Sequence, residues 1–187
     1  MASQHPEEGR DSYHVGGFHP VHLGDIYDGR YEVLRKLGYG RYSTVWLVKD
    51  QRWVKSDTII WQDSCLLTIP RCCCYRALKV LSAECYSGPS HVFELEILKH
   101  LQDSNPEHPG YRYIPRLVDS FEHIGPNGRH TCLVLEPMGE NLASFVTVFH
   151  KFHVPSPIMQ RFTKQLLLAL DYAHQSCIIH TGKQPKI

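Results

Sequence analysis

Leu37-Gly-Tyr-Gly-Arg-Tyr-Ser-Thr-Val45, LGYGRYSTV, lies between two stretches with strand character. Upstream, RYEVLRK (30–36) alternates so that Tyr31, Val33 and then Leu37 share one side. Downstream, STVWLVKD (43–50) is rich in β-branched and aromatic residues. Residues 31–49 therefore read as a hairpin built around glycines. Glycine permits positive φ and close approach of the backbone, so the amides of such a turn can face phosphate oxygens. An ordinary glycine-containing hairpin carries the same signal. A dinucleotide-binding turn would need its glycines to open a helix, and here a β-rich run follows.

Working outward, RALKVL (76–81) reads as a third strand. Ser87-Gly-Pro-Ser90 then offers a turn and helix caps. HVFELEILKHLQ (91–102) places Val92, Leu95, Leu98 and Leu101 at helical spacing. Two more strands are expected, PRLVDSFE (115–122) and HTCLVLE (130–136), joined by the turn IGPNGR. After Gly139 the pattern is helical. A short segment, ENLASFVTVF, precedes IMQRFTKQLLLALDYAHQ, where Met159, Phe162, Leu166, Ala169, Leu170 and Ala173 form an apolar stripe. Two regions stand apart. Residues 1–25 are polar and rich in His, Gly and Pro, and read as a tail or extended arm. Residues 53–75 are apolar, with neither periodicity nor turn punctuation, where a short loop between strands is expected.

Composition narrows the function classes. The 187 residues are 42% apolar and 21% charged, ordinary globular values, and the net charge of +1 makes no electrostatic case for nucleic acid or a membrane. The seven cysteines are odd in number, with three adjacent at 72–74, which suits a reduced, intracellular protein better than a disulfide framework. No apolar run approaches the roughly 18 residues of a membrane span. The thirteen histidines are scattered without zinc spacing, so no metal site is expected from them.

Three further features carry chemistry. Ala77-Leu78-Lys79-Val80 sets one lysine in an apolar strand. It reads either as an edge lysine or as a phosphate ligand held by an anionic partner, and Glu94 on the following helix has the order and spacing for that role. Leu133-Val-Leu-Glu-Pro-Met-Gly139 ends a buried strand. Extended backbone there can present the Glu136 carbonyl and the Met138 amide to an adenine edge beside Leu135; a strand simply stopping at Pro137 is the plainer alternative.

The order of these features, together with GGFHPVHLGDIYDGRYEVLRKLGYGRYSTVWLVKD (16–50) and LVLEPMGENL (133–142), resembles the SR-protein kinase family, in particular its fungal members. The resemblance covers about residues 14–52 and 76–182. It implies an α+β, protein-kinase-like fold: an antiparallel five-stranded N-lobe with one main helix, then the first helices of an incomplete C-lobe. The domains expected are a polar arm (1–25), the N-lobe and hinge (26–139, with 53–75 an atypical insertion), and the start of the C-lobe (140–187). It implies that Gly38, Gly40 and Ser43 cover the phosphates of ATP and that Val45 and Ala77 line the adenine pocket. Lys79 would hold the α- and β-phosphates and Glu94 would pair with it. Leu135 would flank the adenine, with Glu136 and Met138 binding it through the backbone. It further implies transfer of the ATP γ-phosphate to serines of Arg/Ser-rich splicing proteins, magnesium as cofactor, and a cytoplasmic or nuclear location.

The chain departs from the family pattern near its end. The family loop H-T-D-I-x-P-x-N is matched at His180, Thr181 and Pro185, but Gly182 occupies the position of the catalytic Asp and Ile187 that of the magnesium-binding Asn. Glycine has no proton acceptor and isoleucine no metal lone pair. The family's D-F-G magnesium site and docking lobe would lie past Ile187. The expectation is a chain truncated in the catalytic loop and inactive alone, with a catalytically dead nucleotide- or partner-binding module, or a non-functional gene-model fragment, as the alternative. Both 53–75 and Gly182-Lys183 can be encoded by unspliced intron sequence; a genuine insertion is the competing origin of 53–75. The last helix is expected to lack partners for Phe162, Leu166, Leu167, Leu170 and Tyr172.

Overall fold

The computed structural model describes residues 8–53, 74–87, 93–139 and 141–179. Most of the 53–75 stretch and the whole of 180–187 therefore lie outside the described residues, as does Val92 of the expected helical face. The chain divides into two compact units, residues 1–92 with 117–137, and 93–116 with 138–187.

The first unit is a six-stranded antiparallel sheet in the order β1-β2-β3-β4-β6-β5. The strands are β1 (Ile26–Tyr27), β2 (Tyr31–Gly40), β3 (Ser43–Asp50), β4 (Tyr75–Leu81), β5 (Leu117–Gly125) and β6 (Gly128–Leu135). Five were expected, and the sixth is β1. Its turn into β2 runs through Asp28 and Gly29, both at positive φ (51° and 59°), and the Arg30 amide donates to the Tyr27 carbonyl at 3.0 Å. An Asp-Gly pair between aromatic residues is a hairpin signal that the sequence did contain.

Register assigns the side chains to two faces. One face carries Tyr31, Val33, Trp46, Val48, Leu78, Val80, Cys132 and Val134, which with Tyr27 of β1 form the buried core, joined by Val21 and Phe121. The segment read as an arm or tail contributes to this side: Phe18 and His19 are buried and Val21 packs on the core. Burial on this face raises the cost of ionising a thiol, and it pushes the fully buried Cys132 up to about 12.

The second unit holds α2 (Glu94–Ser104), α3 (Leu142–Val146) and α4 (Ser156–Gln175), whereas the four-residue α1 (Glu84–Ser87) belongs to the first. Leu98 and Leu101 are the buried residues of α2 and repeat at helical spacing as expected. Tyr172 departs from expectation. It is buried, its hydroxyl donates to the Leu101 carbonyl, and the Asn105 amide donates to that hydroxyl at 3.3 Å. His108 and Tyr111 pack their rings on it. Phe162 also has a partner, the Phe145 ring at 5.4 Å, and Asn141 caps α3 by accepting from the Ser144 amide at 2.8 Å. Leu166 and Leu167 remain 60% exposed. Gly110 allows α4 to approach this closely. A Cβ there would overlap the Leu168 carbonyl and stand 2.8 Å from the Tyr172 Cβ. Gly110→Ala is therefore expected to cost about 1–3 kcal/mol in urea denaturation, because main chain rather than a flexible side chain must move.

Candidate functional site

The opposite face of the sheet carries the residues singled out in the glycine-containing hairpin and in the lysine strand. Gly38 pairs with Val45, Val45 with Lys79 and Lys79 with Leu133. Ala77 lies between Leu47 and Leu135. Paired residues in antiparallel strands share a face, so Gly38, Val45, Ala77, Lys79 and Leu135 form one continuous patch. A register shift between Lys36 and Gly38 directs Gly38 to this side. Without it Gly38 would face the core.

The patch has an apolar floor around Lys79, and the same register puts Arg35, opposite Leu47, on this face. Ala77 and Leu133 are buried, Val45 is half-buried, and Lys79 stands half-buried among them. The small side chain of Ala77 leaves room between the flanking leucines. Neither Gly38 nor Gly40 has positive φ. A Cβ at Gly38 would meet nothing within 4 Å, and one at Gly40 only the Ser43 hydroxyl at 3.6 Å. The protein's own packing therefore does not require glycine at either position. The open ground above them suits the close approach of a ligand to backbone.

The turn between β2 and β3 is held from a strand distant in sequence. The Ser82 amide, just past β4, donates to the Tyr42 carbonyl at 2.9 Å, and the Cys85 thiol lies 3.7 Å from the same oxygen. Ser43 is buried at the start of β3. Ser82 and Cys85 were missed by reading the sequence, since no periodicity or turn pattern marks a contact of this kind.

At the far edge β6 ends at Leu135. Glu136 follows, exposed, and Met138, the first residue of its part of the second unit, is 71% exposed. Glu94 opens α2 in that second unit and is half-buried. The structure thus brings Gly38, Gly40, Ser43, Val45, Ala77, Lys79 and Leu135 onto one sheet, with Glu136 just past its last strand, and places Glu94 and Met138 in the other unit. Gly182 lies outside the described residues. Among the described residues, cavities lie elsewhere: one of about 810 Å³ beside α4 at Met159, Thr163, Leu167 and Asp171, and one of about 370 Å³ at His100, His108 and Tyr172. Neither includes a residue of the patch. Among the described residues no group of three His, Cys, Asp or Glu could hold a metal ion, and no helix is long and apolar enough to cross a membrane.

Comparison with known proteins finds relatives over nearly the whole chain. No family model matches the chain. It is 41% identical over 183 residues to protein kinase dsk1 of Schizosaccharomyces pombe, covering 96% of this chain and 30% of that kinase. It is 33% identical over 182 residues to serine/threonine-protein kinase SRPK of Physarum polycephalum, covering 96% of this chain and 38% of the relative. Against SRSF protein kinase 3 of Homo sapiens it is 35% identical over 181 residues, covering 96% and 29%. The chain thus spans about a third of the length of these relatives, and the sheet, the glycine turn and the Lys79 strand all lie within the matched part.

Proposed function

The chain belongs to the SR-protein kinase family, and from that premise we propose that it is the ATP-binding part of a serine/threonine kinase acting on Arg/Ser-rich splicing-type proteins. The observation that carries the reading is the single patch on which two unforced glycines, an apolar floor and Lys79 meet. In this reading the amides around Gly38, Gly40 and Ser43 donate to phosphate oxygens. Lys79 neutralises the α- and β-phosphates, and Glu94 orients Lys79. The adenine lies against Val45, Ala77 and Leu135, with the Glu136 carbonyl and the Met138 amide meeting its edge. Residues 26–139 act as nucleotide-binding lobe and hinge and 140–187 as the start of a second lobe, preceded by the arm at 1–25. The protein acts in the cytoplasm or nucleus.

Magnesium fits this chain poorly. The described residues supply no cluster for it, and Ile187 at the family's Asn position offers no ligand. Gly182 likewise cannot accept the proton of a serine hydroxyl. Phosphoryl transfer depends on such positioning and charge neutralisation, so we read the chain as binding nucleotide without transferring phosphate. The second reading is a catalytically dead module that binds a partner in place of nucleotide, which the same two residues would leave equally silent.

A melting experiment tests the binding. ATP at a hundred times its Kd is expected to stabilise the chain by about 2.7 kcal/mol, several degrees in Tm, and Lys79→Met should remove the shift. No shift in the parent chain overturns the nucleotide reading. In the same preparation an Arg/Ser peptide should gain no phosphate; turnover within about a hundredfold of a full-length relative overturns the silence.

A further inference from the structure

The segment ahead of the sheet touches the glycine turn's supports from two directions. On one side, the Glu8 carboxylate is 3% exposed and accepts from the Lys36 ammonium and from the Tyr13 hydroxyl. Lys36 belongs to β2, one residue before Leu37, and stands over the rings of Trp46 (5.3 Å) and Tyr39 (5.8 Å). Burial pushes the Glu8 carboxyl up, but the two donors outweigh that and hold it below its ordinary value. On the other side, the carbonyls of Gly16 and Gly17 accept from the amides of Glu84 (2.8 Å) and Ala83 (3.1 Å). Those residues adjoin Ser82, whose amide donates to the Tyr42 carbonyl inside the turn, and whose hydroxyl lies 2.9 Å from the Cys85 thiol.

The segment has an independent anchor as well. The Gly16 amide donates to the Asn127 carbonyl at 2.7 Å, and the Asn127 side-chain amide donates to the carbonyls of Phe18 (2.6 Å) and Tyr13 (3.1 Å). Phe18 is itself buried. Tethering is thus already achieved without Glu8. A buried carboxylate, one of whose oxygens has no hydrogen-bond partner, is a costly addition to a mere tether. Its position is informative: it grips the strand that leads into the turn, while Gly16 and Gly17 grip the residues that hold the turn's other end.

We propose that residues 8–17 clamp the glycine turn, and that Glu8 is a positioning residue that keeps the turn in its nucleotide-receiving conformation through Lys36. The consequence for nucleotide affinity rests on the ATP-binding reading above; the clamp itself does not. An arm that can be drawn off the sheet by a partner, or lose its grip when Glu8 is neutralised, would change the affinity of the patch without touching a residue of it.

Hydrogen–deuterium exchange on the full chain without nucleotide tests the clamp directly. In Glu8→Ala the amides of residues 37–45 should exchange faster by on the order of tenfold, the loss of one charge-assisted hydrogen bond. The β5–β6 strands should be unchanged, because Asn127 still holds the arm. Lys36→Met, which keeps contact with Trp46, should give the same acceleration, and combining the two changes should add nothing further. ATP affinity should fall several-fold in parallel, and Glu8→Gln, still an acceptor, should restore part of both. Unaltered exchange at 37–45 in both single variants overturns the clamp, and so does acceleration spread evenly over the whole sheet. Faster exchange at the turn in the variants, when the parent chain itself binds no ATP, supports the clamp and overturns the nucleotide reading instead.

Discussion

Replacing Asp50 with alanine is expected to lower the unfolding free energy by about 3–5 kcal/mol, the largest single effect among the described residues. Asp50 ends β3 and is 0% exposed. Its oxygens accept from Arg30 Nε at 2.7 Å and Nη2 at 2.5 Å, a bidentate pair, and from the Arg52 amide at 3.1 Å. The third guanidinium nitrogen reaches Asp119 on β5 at 2.9 Å, and the Tyr31 hydroxyl donates to the same carboxylate oxygen at 2.9 Å. The Arg30 side chain is only 12% exposed and lies over the Tyr31 ring. Without Asp50 that cation would keep its burial and lose its main counter-charge. Hydrogen bonding to Asp50 holds the Arg30 guanidinium firmly protonated, so it cannot escape by neutralising. Asp50→Asn should cost less, since shape and one acceptor survive. Asp119→Asn should cost less again, at most about 1 kcal/mol, because Asp119 is partly solvated. Urea denaturation at pH 7 measures all three. A loss below about 1 kcal/mol for Asp50→Ala would falsify the assignment of this pair as the principal polar tie between β2, β3 and β5.

The second large effect is acid sensitivity at a pH where few carboxylates titrate. His19 of the arm is buried against His123 of β5 and His130 of β6, at ring distances of 4.5 and 5.0 Å, and against Tyr27 of β1. Burial first, then the neighbouring imidazoles His123 and His130, push His19 down to about 4, against a weaker opposite pull from Asp25. Burial also lowers His123, and it lowers His130, whose Nδ1 lies 2.9 Å from the Leu81 carbonyl. A histidine with a depressed folded pKa takes up its proton more readily when unfolded. Its contribution is complete above the unfolded value near 6.5 and is lost as pH falls toward the folded value. Stability should therefore decline between pH 6.5 and about 4, by up to about 1.4 kcal/mol per pH unit for each site that refuses the proton. His19→Phe should flatten this slope, since the His19 Nδ1 has no hydrogen-bond partner to lose. Urea midpoints at pH 7, 6 and 5 would decide it; parallel slopes for variant and parent would sink the idea. Gly125 is part of the arrangement, because a Cβ there would collide with the His19 ring.

Much of the fold could be read locally. The hairpin around Gly38 and Gly40, the strand bearing Lys79, the buried strand ending at Leu135 and the long helix each announce themselves by periodicity or punctuation within about ten residues. They appear as β2–β3, β4, β6 and α4, within a few residues of where the patterns place them. The residues on the patch were legible for the same reason, as glycines, a small residue and a lysine embedded in β-patterned runs.

What could not be read was decided by register. Arg30 meets Asp119 across 89 positions, and Tyr172 meets Leu101 across 71. Nothing local in either partner predicts the other. The short β1 is marked by an Asp-Gly pair, but two residues are too few for an alternation to be seen. The arm looked like a tail because its composition is polar, yet Asn127 and the strand-end amides satisfy its backbone and allow Phe18 and His19 to be buried. The sequence alone determined which segments form strands and helices and that a glycine turn and a lysine strand adjoin. Only the tertiary structure decided which face those residues share, that the arm grips the turn, and where the buried charges and imidazoles are enclosed. Side-chain period and turn chemistry are properties of a few neighbouring residues, whereas burial and pairing arise only when distant strands are set side by side.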